Sequence, residues 1–141
     1  MSTLIGYTTH YNDPTYDRIN NPQRRSVAEL LPCAVSWLDG GRTVRIEFSK
    51  NGISCPLADL SGVGIVESPF EREPNRAYVT NSDGSERFAL MKPSEAGPDA
   101  LFSDVYYVDG TLCFFLSGRF GDRRIECDAT TGQLLKIVQV R

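Results

Sequence analysis

Apolar and polar positions alternate most strictly over residues 42–50. There Val44, Ile46 and Phe48 point one way, while Thr43, Arg45, Glu47 and Ser49 point the other. A period of two marks a strand with one buried and one wet face. The apolar run CAVSWL precedes it, and Asp39-Gly40-Gly41 lies between them. Glycine takes a positive φ without steric cost, so this spacing predicts a β-hairpin. Residues 77–91 predict a second hairpin, with Asn81-Ser82-Asp83-Gly84 as a type I turn closed by a left-handed glycine. Its expected register sets Asn81 opposite Ser85, Thr80 opposite Glu86 and Tyr78 opposite Phe88.

The densest apolar pattern runs over residues 103–140, which predict four strands joined by three short turns. Asp109-Gly110 suits a two-residue type I′ turn and fixes the first register. Val108 then faces Thr111, Tyr107 faces Leu112, Tyr106 faces Cys113 and Val105 faces Phe114. One face collects Val105, Tyr107, Leu112, Phe114 and Leu116; the other collects Tyr106, Val108, Thr111, Cys113 and Phe115. Both are apolar. Such a pair is covered on both sides, or keeps one side for a partner. Burial of both faces within the domain is the expectation.

The remaining segments are less regular. Residues 4–11 predict a first strand, and residues 12–25 a loop with two prolines and three asparagines, long enough to suggest function or mobility. Ser26-Val-Ala-Glu29 fits a capping box, and Pro32 ends the short helix it starts near residues 26–31, expected to pack Val27, Leu30 and Leu31 inward. Residues 53–60 look irregular, since Pro56 cannot donate within a central strand. Gly62 and Gly64 precede neither a helix nor a Gly-Lys-Ser/Thr sequence, so a closely packed or bulged strand is expected there, not a phosphate loop. The expected fold is mainly β: an antiparallel meander of about eight strands forming a sandwich, barrel or strongly bent sheet, in one domain over residues 1–141.

Composition adds limits. At 141 residues, 40% hydrophobic and 23% charged, the chain has ordinary globular content. The net charge is −3, with six Lys/Arg against seven Asp/Glu in residues 1–70 and nine against eleven in residues 71–141. No basic half offers an electrostatic footing for nucleic acid, and no specific nucleic-acid partner is expected. Apolar runs are too short for a membrane helix, and MSTLIGYTTH lacks the features of a signal peptide, so a cytoplasmic protein is expected. Cys33, Cys55, Cys113 and Cys127 are widely spaced without a C-x-x-C pair, and are expected to be reduced, small apolar residues.

Candidate chemistry is sparse. The one histidine, His10, has no neighbouring nucleophile in a strained elbow. Many carboxylates stand in turns, as do Asp39, Asp83 and Asp109, where local hydrogen bonding explains them. No catalytic residue, metal ligand or cofactor is expected, and the chain is not expected to be an enzyme. Candidate binding residues are Tyr11, Tyr16, Arg18, Arg24 and Arg25 in and beside the long loop, and Tyr106 and Phe115 on the second face of the 103–116 hairpin. Tyrosine and arginine are preferred hot-spot types at protein interfaces.

The phrases AYVTNSDGSERFAL and CDATTGQLLKI are similar to the strand–turn–strand units of β-propeller repeats, which implies hairpins. As a whole, this run of hairpins in a small, mildly acidic chain resembles bacterial immunity proteins, the cytosolic partners that neutralise secreted toxins. The resemblance implies a non-enzymatic protein-binding module whose partner is another protein, a toxin domain above all. Two other readings are a small-ligand-binding β-barrel lined by Trp37, Phe88, Tyr107 and Phe114, and an enzyme using carboxylates or a metal.

Overall fold

The computed structural model describes residues 2–140. Eleven strands and two short helical turns are present among them. Strands β1 (Leu4–His10), β2 (Ala34–Asp39) and β3 (Arg42–Glu47) form a first sheet. The second contains β4 (Gly52–Pro56), β5 (Gly62–Glu67), β6 (Arg76–Asn81) and β7 (Glu86–Ala89). The third contains β8 (Leu101–Val108), β9 (Thr111–Ser117), β10 (Arg123–Cys127) and β11 (Leu134–Gln139). Each sheet is an antiparallel meander in chain order. The sheets stack like a sandwich and do not close into a barrel.

The second sheet is the middle layer. Along β5 and β6 the side chains alternate between two cores. Val63, Ile65 and Tyr78 pack with Leu4, Val35, Trp37 and Phe48 of the first sheet and its flanks. Val66, Ala77 and Val79 pack with Phe102, Val105, Leu112 and Phe114 of the third. Every residue of β5 is buried, as a strand covered on both faces must be. Each large core side chain contributes about 1.5–3 kcal/mol through its removal from water. Two glycines permit the close approach. A Cβ on Gly62 would stand 1.8 Å from the Thr80 carbonyl oxygen, and one on Gly64 would stand 3.1 Å from Val105 Cγ2. Polar ties span the layers as well: buried Trp37 Nε1 donates to the Ser82 carbonyl at 2.6 Å.

The expected hairpins form where turn chemistry predicts them. Gly40 and Gly41, and then Asp109 and Gly110, all take positive φ in two-residue turns. Gly84 closes the third with φ 91°, and its N–H donates to the Asn81 carbonyl at 3.0 Å. The register of β8 and β9 is as expected from Val105 to Thr111.

Four expectations need correction. Residues 52–56 form a strand, β4, which Pro56 tolerates because β4 is an edge. Tyr78 faces Ala89, and Phe88 faces Val79, because the register shifts after the Thr80–Glu86 pair. The capping box at Ser26 forms as expected, but α1 (Val27–Leu30) buries none of its residues and leaves Val27 63% exposed. One turn of helix stabilised at its cap needs no apolar face. Finally, a ligand-lined barrel is not realised: Trp37 and Phe114 lie in separate packed cores.

Candidate functional site

The two outer layers differ in what they show to solvent. Thr8 and Ser36 pair across β1 and β2, and Ser36 pairs with Arg45 of β3, giving the first sheet a mostly polar outer face that also carries one exposed aliphatic pair, Ile5 and Leu38. The third sheet is different. Its outer face aligns Asp104, Phe115, Arg124 and Val138 in one row, with Tyr106, Cys113, Glu126 and Lys136 in the next. Tyr106 and Phe115 stack diagonally, with ring centroids 4.3 Å apart and planes inclined by 19°. They line an open groove of about 500 Å³. Tyr106 is 46% exposed, Phe115 is half-buried and Cys113 is fully buried. Burial within the chain therefore covers this face only in part.

A β-bulge borders the groove. The register shifts between Phe102 and Asp104, so Ser103 is the extra residue. Without it, Phe102 and Asp104 would share a face. With it, Phe102 enters the core opposite Leu116 while Asp104 points outward opposite Phe115. Asp104 Oδ1 accepts from the Val105 N–H at 2.8 Å. Burial raises the Asp104 carboxyl above its ordinary value, and the Val105 N–H offsets that only partly. No cationic partner for it is present among the described residues. Arg124 also lines the groove, but its guanidinium binds Glu126 at 3.0 and 3.3 Å.

The loop over residues 12–25 brings four of its candidate residues together, but against one another. Arg18 lies 3.5 Å over the Tyr11 ring and Arg25 lies 3.8 Å over the Tyr16 ring. Tyr16 Oη donates to Asn21 Oδ1 at 2.5 Å and accepts from the Gln23 N–H at 2.9 Å. Asn21 also binds the Arg25 backbone through both its amide nitrogen and its amide oxygen. Arg24 is exposed, with φ 51°. These arginines and tyrosines are used largely in ordering the loop, and they lie in a different segment from Tyr106 and Phe115.

One pairing was not foreseen from the sequence. His10 Nε2 lies 2.6 Å from Ser36 Oγ across the first sheet. No ion pair joins a carboxylate to the imidazole among the described residues, and the pair stands on neighbouring rows of the β1–β2 ladder. Its position across the strands explains it as a cross-strand contact. The four cysteines are free, Cys33 and Cys55 partly buried and Cys113 and Cys127 buried. Burial raises the Cys113 and Cys127 thiols, the latter to about 11, and leaves them poor nucleophiles at neutral pH. Among the described residues no helix is long and apolar enough to cross a membrane.

No protein-family model matches the chain, and no curated protein matches it. Among solved structures, it is similar to a chain of "Structure of Tne2 in complex with Tni2". The likeness has a TM-score of 0.73 at 12% identity, and covers 99% of this chain and 100% of that one. It shows a shared fold along essentially the whole chain.

Proposed function

We propose that this chain is a non-enzymatic protein-binding module of the immunity type, which neutralises a toxin by docking it on the outer face of the third sheet. The observation that carries this is the contrast between the two end layers. The first sheet presents a mostly polar outer face with a single aliphatic pair and no aromatic ring stack, whereas the third presents a stacked aromatic pair in an open groove. An aromatic cluster with a charged rim has the anatomy of an interface centre. A whole-chain likeness to a protein solved in a two-protein complex supports the same reading. The docked partner would cover the groove within an interface of about 1,600 Å² in total, occluding an active site or a surface the toxin needs.

Co-expression with the products of the genes flanking its own tests this. A toxic flanking product should form a stoichiometric complex with the chain, and growth should recover. If no flanking product binds, or binding leaves toxicity intact, the proposal fails.

A further inference from the structure

The groove on the third sheet contains a charged group, Asp104, that forms no ion pair among the described residues. Arg124 is held by Glu126. The other charged residues lining the groove among the described residues, Asp104 and Asp122, are both acidic. Asp104 faces outward in register with Tyr106 and has no cation beside it among the described residues. Next to it lies the exposed Tyr106 ring, stacked on Phe115.

The chain itself shows what suits a tyrosine ring. Guanidinium groups lie over Tyr11, Tyr16 and Tyr78 at 3.5, 3.8 and 4.4 Å from the ring centroid. Tyr106 carries no such cation among the described residues. A guanidinium is planar, so it can lie against a ring while its edge donates two parallel hydrogen bonds to a carboxylate. Lysine offers the charge without either geometry.

We propose that the groove is an arginine receptor: one arginine side chain of the docked partner lies against Tyr106 and donates to the Asp104 carboxylate. This rests on the docking face proposed above and names the chemistry of the partner residue at its centre. No covalent step is involved. The carboxylate gives up water to enter the fold, and the arriving cation compensates it.

The direct probe is N-acetyl-arginine amide, titrated into the ¹⁵N-labelled full chain, with N-acetyl-citrulline amide as its uncharged near-isostere and the N-acetyl-lysine amide as a second cation. Saturable shifts are expected for the backbone amides of residues 104–108 and 113–116 with arginine, weaker ones with lysine and none with citrulline. Asp104→Asn should weaken arginine binding by about tenfold or more, since it replaces a charge-assisted pair by a neutral one. Tyr106→Leu should weaken it severalfold. Unchanged amide spectra elsewhere would show that both variants fold. Equal shifts with citrulline, lysine binding as tight as arginine, or no shift at these amides would overturn the proposal.

These outcomes separate from those of the docking face. If a toxin complex depends on Tyr106 and no arginine binds, the face stands and the arginine receptor falls. If arginine binds as described and a toxin complex ignores Tyr106→Lys, the receptor stands and the proposed docking face falls.

Discussion

Asp104 shows how a single residue can be placed for something other than stability. Burial raises its folded-state pKa above the ordinary 3.8. Between those two values the folded chain holds more protons than the unfolded chain, so stability falls as pH rises through the window. Asp104→Asn removes that loss. In urea titrations at pH 7 the variant is expected to be more stable than the original chain, by less than about 1 kcal/mol because the group is partly solvated. At pH 3.5 the difference should shrink. A variant less stable at pH 7 would mean the carboxylate is compensated within the fold. Gly62 is the opposite case, a residue with a purely structural task. Its Cβ would collide with the Thr80 carbonyl, so Gly62→Ala should cost about 3 kcal/mol or more in denaturant unfolding. The sequence signals Gly62, because glycine inside a strand marks close approach. The alternation that runs back from Asp109-Gly110 sets Asp104 on the same face as Tyr106, but nothing local signals that it lacks a cation there.

At the scale of elements, the turns were legible and the bulges were not. Gly40-Gly41, Asn81–Gly84 and Asp109-Gly110 declare themselves because positive φ demands particular residues. The register shifts at Ser103 and between Val79 and Thr80 carry no such residue, and they set the side to which Phe102 turns and the residues that β7 places opposite β6. The second shift gives Arg87 its place. Its guanidinium binds Asn81 Oδ1 at 2.7 Å, the Ser61 carbonyl at 3.0 Å and the Ala129 carbonyl at 3.0 Å. It thus ties the middle sheet to the turn between β10 and β11. Arg87→Met keeps the aliphatic stem but leaves these acceptors without a donor, and should cost about 2 kcal/mol. Faster amide exchange around Ala129 would locate the loss, and unchanged exchange there would show that the tie is unimportant. β4 was obscured by Pro56 for a related reason: proline excludes a central strand, while its edge position becomes visible only once pairing is known. The loop over residues 12–25 has its expected irregular backbone, yet its candidate arginines and tyrosines are engaged with each other. Residue type suggested an interface there, but spacing could not reveal the internal pairing.

For the whole molecule, the three-layer stack decides which surface is available. The alternating strands of the first sheet and the two-faced hairpin of β8 and β9 were both apparent in the sequence. The middle layer was harder to foresee, although the apolar and small-residue run of β5 up to its terminal Glu67 is what a strand covered on both sides requires. What the pattern could not show is that β8 and β9 would belong to an end layer, leaving Tyr106 and Phe115 at the surface. That placement is the basis of the central claim, and the affinity of the chain for the toxin partner proposed for it, measured after Tyr106→Lys, tests it most directly. Thr43→Lys, on the exposed β3 edge of the first sheet, is the matched control. By calorimetric titration, Tyr106→Lys should weaken the complex by about a hundredfold without changing the thermal midpoint, and Thr43→Lys should leave it intact. A complex that tolerates Tyr106→Lys and is broken by Thr43→Lys would contradict the account.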